Sequence, residues 1–186
     1  MKTKLALSGA PGSFSDEAAS LYSQREGIDA ELIYTLDMEG VLTSLDKKEA
    51  DIGIFPVVNS RGGLVHVAFQ AMGGHLFEMV GELWLEVHQC LMVKPNTTKP
   101  QIQTIASHPQ ALVQCERYLK HNFPDLPLIE WIDTAEAAKD LAMGKFSENT
   151  AVIAPARAAS LYGLKVLEKG IQDVNPNLTT FIIVKK

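Results

Sequence analysis

Long apolar runs, metal-spaced cysteines and an excess of basic charge are all missing from this sequence of 186 residues. The two cysteines, Cys90 and Cys115, each sit in an apolar stretch and belong to no metal-spaced pair, so they read as buried reduced thiols. The five histidines form no HExxH pattern and join no cysteine pair, which argues against a metal site. Lys and Arg number 17 against 22 Asp and Glu, a net charge of -5. Nucleic acid, which calls for a basic face, is therefore not an expected partner. If a ligand is anionic, positive potential has to be local to its site. No apolar run approaches a membrane span. The opening "MKTKLALSGAPGS" is basic and then briefly apolar, too short for a signal segment, so a first strand and a cytoplasmic protein are expected. Neither GxGxxG nor GxxxxGK[ST] occurs, which removes the dinucleotide and P-loop readings. There is no internal repeat, low-complexity tract or clear linker.

What is present is a globular composition, 46% hydrophobic and 21% charged, with ample core for one domain or two lobes. Strand and helix patterns alternate almost throughout. "KLALS" reads as a strand, and a helix follows from about Phe14 to Glu26, with Phe14, Ala18, Leu21 and Tyr22 on one face and Gly27 as its stop. Ser13 with Asp16 fits a capping box. "ELIYT" is the next strand, and Asp37 caps a helix carrying Met38, Val41, Leu42 and Leu45. "DIGIFPVV" reads as a buried strand and "NSRGG" as a turn before a helix near Leu64–Met72. "ELWLEVHQCLMV" reads as one long strand. Strand and helix alternate again through "QTIAS", "PQALVQCERYLKHN", "LPLIEWID", "AEAAKDLAMG", "TAVIA" and "PARAASLYG", and "NLTTFIIVKK" is the last strand. This alternation predicts α/β layers with largely parallel sheets.

Several polar residues fall at strand ends, where open α/β sheets bind ligands: Ser13, Asn59, Ser60, Ser107, His108 and Thr134. Each has a plain alternative. Ser13 and the glycines of "GAPGS" suit a tight turn with a cap. Asn59 and Ser60 suit a turn, while Arg61 is either a solvated loop residue or a bidentate partner for a carboxylate. In "SHPQ", Ser107 suits an N-cap with Pro109 at the first helical position, and Thr134 suits another cap. The alternative for both is the wall of an anion site, since backbone N–H groups at a helix start attract anions.

Taken in order, "GAPGSFSDEAA", "ADIGIFPVVNS", "HQCLMV", "SHPQALVQC", "TAEAA", "LYGLKVL" and "NLTTF" closely resemble prephenate dehydratase, from Leu5 to Val184. The resemblance implies two α/β lobes with a cleft between them, similar to type II periplasmic binding proteins. The expected lobes are residues 1–80 and 81–186, with the final strand passing back along the cleft. It implies conversion of prephenate to phenylpyruvate, by coupled loss of carbon dioxide and water, on the route to phenylalanine. No cofactor is needed, and a homodimer or dimer-based tetramer is expected. The sequence ends directly after the last strand, so the catalytic portion alone is expected, without the phenylalanine-binding ACT domain of many members. By resemblance Thr179 is the catalytic residue, and Ser13, Asn59, Ser60, Arg61, Ser107, His108, Gln110, Thr134, Thr180 and Phe181 surround the substrate.

Two departures stand out. The family usually has arginine where this sequence has Thr180, and glutamate where it has Val58. The two losses read as one linked event, since removing both members of an ion pair costs less than removing one; Arg61 is the alternative source of positive charge. Other readings are an enzyme acting on arogenate, a non-aromatising prephenate decarboxylase, and a non-catalytic aromatic-acid-binding or regulatory protein on the same scaffold.

Overall fold

The structure is a computed structural model that describes residues 2–186. The chain runs β1 (Thr3–Ser8), α1 (Phe14–Glu26), β2 (Ala30–Thr35), α2 (Met38–Asp46), β3 (Ile52–Asn59), β4 (Gly63–Leu64), α3 (His66–Met72) and β5 (Glu78–Glu86). It continues as β6 (Gln89–Val93), a 3-10 turn (Lys99–Gln101), β7 (Thr104–Ser107), α4 (Pro109–Gln114), α5 (Glu116–Asn122) and β8 (Leu128–Glu130). It closes with α6 (Thr134–Ala142), β9 (Thr150–Pro155), α7 (Ala156–Tyr162), β10 (Lys165–Lys169) and β11 (Leu178–Lys185).

Among the described residues, the first compact unit joins 2–86 with 178–186. Its sheet has the order β2-β1-β3-β11-β5, with β4 paired to β3. Period-two alternation gives the sheet two apolar faces. Leu5, Leu7, Ile52, Ile54, Leu83, Leu85, Phe181 and Ile183 pack against Ala18, Ala19 and Tyr22 of α1. On the other face Ala6, Phe55, Val57, Ile182 and Val184 pack against α2 and α3. Gly53 lets α2 lie close on β3: a Cβ there would stand 2.8 Å from Val41 Cγ1 and 3.1 Å from Leu45 Cδ1.

The second unit is continuous, residues 87–177, with sheet order β10-β6-β9-β7-β8. Leu91, Val93, Ile105, Ala151 and Ile153 of this sheet pack with Leu112 of α4, Cys115 between the helices, Leu119 of α5 and Phe123 just after it.

Three expectations need correction. The division at residue 80 is displaced, because β5 pairs with β11 and β11 with β3, which draws residues 81–86 and the final strand into the first unit. The sheets are mixed, since β11, β5, β6 and β10 all pair antiparallel. The apparent single strand "ELWLEVHQCLMV" is two strands, β5 and β6, in different sheets, and the break falls at Val87 and His88. A continuous apolar pattern does not show where a strand changes partners.

Outside the candidate site, His75 joins three parts of the first unit. Its Nδ1 lies 2.6 Å from Asp46 Oδ2 and its Nε2 lies 2.8 Å from Glu39 Oε1. Lys186 also pairs with Asp46. Two carboxylates facing both ring nitrogens favour the imidazolium; Glu39 first and Asp46 second raise the His75 pKa above its ordinary value. Lys186 and then His75 lower that of Asp46. A raised histidine value makes this contribution complete below about pH 6.5 and lost as pH rises through the folded-state value. His75→Gln is expected to lower Tm by about 2–4 °C at pH 6, on the order of 1 kcal/mol. The gap narrows as pH rises towards 9; thermal unfolding of both proteins across that range checks it, and a gap that widened with pH would reject the imidazolium.

Candidate active site

The first unit's polar cluster forms where β3 ends against the start of β11. Thr179 stands directly opposite Asn59 in the antiparallel register. The Asn59 side-chain carbonyl accepts from the backbone N–H groups of Arg61, at 2.9 Å, and Gly62, at 2.8 Å. Two backbone donors on Oδ1 fix which way the carboxamide points. Nδ2 then donates to the Thr179 hydroxyl at 2.8 Å and to the Leu178 carbonyl at 3.3 Å. Because Thr179 Oγ1 accepts from Asn59, its own proton is directed away from that partner. Ser60 completes the corner: its N–H donates to the Leu178 carbonyl at 2.8 Å, and its Oγ accepts from Leu178 N–H at 2.9 Å. Thr179 is 8% exposed, so the hydroxyl is held in a largely dry setting.

Strand alternation separates the two threonines. Thr179 shares its face with Asn59 and Leu85, the side covered by α1, whereas Thr180 stands opposite Val58 and Trp84 on the other side. The β3–β11 register shifts just beyond, between Thr180 and Phe181. The two positions that depart from the family pattern, 58 and 180, are thus direct cross-strand partners. Phe181, expected beside the substrate, is 1% exposed and belongs to the apolar layer against α1. Ser13 caps α1, accepting from Asp16 N–H at 3.3 Å, while Asp16 accepts from Gly12 N–H at 2.7 Å. Gly12 has φ 86°, a left-handed value that its lack of a Cβ allows. Arg61 is exposed on the turn after β3, and only its backbone N–H has an assigned bond among the described residues.

In the second unit the polar residues gather where β7 and β8 give way to α4 and α6. Ser107 is fully buried, and its hydroxyl donates to the Ile153 carbonyl at 2.6 Å, tying β7 to β9. It is not the cap expected for α4. That cap is His108, whose Nδ1 accepts from Gln110 N–H at 3.2 Å. With Nδ1 accepting from the backbone, Nε2 is the ring nitrogen left to donate. Gln110 is exposed on the first turn. Thr134 is likewise not a cap: Asp133 accepts from Ala135 N–H at 2.7 Å and Glu136 N–H at 3.0 Å. The Thr134 hydroxyl is left half-buried with no assigned partner among the described residues. Asp133 was legible in the sequence, because it stands three residues before Glu136.

The chemistry on offer is that of neutral donors. Cys90 and Cys115 are free and buried, and burial first of all pushes the Cys115 thiol up to about 12, which rules it out as a nucleophile near neutral pH. Among the described residues no group of three or more His, Cys, Asp or Glu side chains is placed to hold a metal ion, and no helix is long and apolar enough to cross a membrane.

The family model for prephenate dehydratase matches residues 5–186. Arogenate dehydratase 1 of Petunia hybrida is 35% identical over 184 residues, 98% of this chain and 42% of its own length. The chain spans less than half the length of the curated relatives it matches. A crystal structure of prephenate dehydratase from Arthrobacter aurescens, in complex with L-Phe, is 26% identical with a TM-score of 0.88, covering 99% of this chain and 60% of that one. A nutrient-binding protein from Burkholderia cenocepacia shares the fold alone, with a TM-score of 0.56 at 15% identity over 98% of this chain and 84% of that one. With the match running from the first strand to the last, the chain belongs to the prephenate dehydratase family.

Proposed function

We propose that this chain catalyses the decarboxylating dehydration of prephenate to phenylpyruvate, a step of phenylalanine biosynthesis. The observation that carries the proposal is the Thr179 hydroxyl, fixed by Asn59 as an acceptor and so left as a donor towards a third group. In the reaction the bond from the ring to its carboxylate breaks and carbon dioxide leaves. The bonding electrons pass through the ring diene and expel the ring hydroxyl from the opposite carbon. That oxygen takes up one proton and departs as water, and the ring becomes aromatic. Negative charge grows on the leaving oxygen as its bond lengthens. A positioned hydroxyl donor stabilises that charge more than it stabilises the substrate. Threonine is a weak acid, so its role is to hold the leaving oxygen and to pass on a proton from water.

The other residues divide into contacts and supports. Arg61, His108 through Nε2, Gln110 and Thr134 are proposed donors to the substrate carboxylates. Asn59 orients Thr179, and Ser60 holds the strand beside it. Ser13, Ser107 and Phe181 hold the frame rather than the substrate, because their side chains serve a cap, a strand tie and the core, and Thr180 lies on the strand face opposite that of Thr179. No step of this scheme draws on a cofactor. A cytoplasmic location and assembly into a homodimer or dimer-based tetramer belong to the same proposal, and light scattering of the purified protein measures the second. The Petunia relative's description favours arogenate as a second reading, with phenylalanine as the product. Retention of Thr179 speaks against a decarboxylase that keeps the ring hydroxyl.

Purified protein with prephenate is expected to form phenylpyruvate in step with substrate loss. Thr179→Ala should lower kcat by about 100–1,000-fold, with KM little changed. A variant within fivefold of wild type would remove Thr179 from the mechanism. Phenylalanine formed faster from arogenate than phenylpyruvate from prephenate would move the assignment to the second reading. Binding of prephenate without loss of either substrate would make this a binding protein.

The facing positions 58 and 180 make a separate expectation. Val58→Glu and Thr180→Arg should each destabilise the protein alone, since each buries a charge on a half-buried or buried strand face. Together they should recover about 0.2–1 kcal/mol, the coupling of an opposite-charge cross-strand pair. Denaturant unfolding of the four proteins measures it, and strict additivity would show that the two losses are unlinked.

A further inference from the structure

The segment that leads into Thr179 is clasped by a side chain on no element of the candidate site. The chain enters the second unit at Val87 and leaves it at Asn177, and Val87 N–H donates to the Asn177 carbonyl at 2.7 Å. The turn before Asn177, residues 171–175, is bonded on both sides. On one side it meets the incoming segment: Ile171 N–H donates to the Gln89 carbonyl at 3.0 Å, and Gln89 N–H donates to Gln172 Oε1 at 3.0 Å. Gln89 and Gln172 are 3% and 5% exposed, so these bonds are made out of water. On the other side is Asp173. Its N–H donates to the Gln114 carbonyl at 2.8 Å, and its carboxylate accepts from Arg117 N–H at 2.9 Å and Tyr118 N–H at 3.2 Å.

Those two N–H groups open α5. The residue at the cap position of α5 is Cys115, whose side chain makes no capping bond. A helix start leaves such donors without intrahelical partners. Here the missing cap arrives from 56 positions away, and it comes attached to the turn that precedes β11. One carboxylate therefore does two things. It ends the break between α4 and α5, and it fastens the turn from which the chain runs through Asn177 and Leu178 to Thr179.

We propose that Asp173 is a positioning residue for Thr179, a clasp that sets where β11 begins. The proposal rests on the reading of Thr179 as the donor to the leaving hydroxyl. From Asp173 the path to that hydroxyl is held at short intervals. Gln172 Nε2 donates to Asn175 Oδ1 at 2.5 Å, Val87 holds Asn177, Ser60 holds both backbone groups of Leu178, and Asn59 holds Thr179. A strand held this closely passes a shift at its start on to its neighbours. Misplacing a reacting group by about 1 Å is enough to cost on the order of 100-fold in rate.

The test compares wild type with Asp173→Ala and Asp173→Asn, using two readouts on the whole chain. Steady-state kinetics with prephenate, well below the unfolding temperature, is expected to show kcat reduced about 10–100-fold for Asp173→Ala, with KM within about threefold of wild type. Asp173→Asn keeps one acceptor oxygen, should lose less rate, and serves alone if the alanine variant does not fold. Amide hydrogen exchange should speed up at Val87, Leu178 and Thr179 as well as in α5. A purely capping role predicts otherwise: faster exchange confined to 116–122, a lower Tm and an unchanged kcat. That pattern would overturn the proposal, as would an effect wholly on KM. If wild type turns over neither prephenate nor arogenate, the proposed function has failed. Exchange then decides the clasp by itself, and unchanged rates at Val87 and Leu178 in the folded variant would reject it.

Discussion

The antiparallel pairing of β3 with β11 brings together residues 120 positions apart, and most of what the first unit offers to chemistry hangs on it. Without β11, β3 and β5 each lose a neighbour, and Leu83, Leu85 and Ile54 lose Phe181 and Ile183 from their apolar layer. The same pairing sets Asn59 opposite Thr179. The Asn59 carboxamide can point only one way because two backbone N–H groups of the following turn occupy its oxygen. Sheet, core and hydroxyl orientation are thus consequences of one register.

The proposed reaction would draw on direction more than on charge. Thr179, Thr134, Gln110 and His108 through Nε2 are the proposed hydrogen-bond donors, and Arg61 adds a guanidinium to the proposed contacts. The proposed reaction has its driving force in the product's aromatic ring, and it would ask the protein to hold an anion and meet charge that grows on one departing oxygen. Thr179, whose partner already fixes it, needs no rearrangement as that charge appears.

Much of this was legible in the sequence where the signal is local. Ser13 with Asp16 and Asp37 announce the starts of α1 and α2, and Gly27 announces a stop. The ordered motifs carry family and fold at once. Reading fails where a partner is remote or two neighbours compete for one role. Ser107 looks like a cap by type, but the Ile153 carbonyl takes its hydroxyl and His108 caps instead. Thr134 yields in the same way to Asp133, whose carboxylate reaches two N–H groups. The exchange of β5 for β6 within one apolar stretch leaves no mark in the pattern, because both strands are sheet members with buried residues. The opposition of Val58 to Thr180 depends on a pairing no short window contains.

The division of the chain has a bearing on its synthesis. The second unit is a single stretch, residues 87–177, so every strand of its sheet has been made before β11 exists. The first unit begins earlier yet finishes later, since its sheet awaits a strand from the far end of the sequence. Chains fold largely as they emerge, and contacts between distant segments form late. A chain halted short of Leu178 would therefore hold a finished second sheet beside an unclosed first one. The residue proposed for the reaction sits on that closing strand, so its hydroxyl is set opposite Asn59 only once β11 has paired.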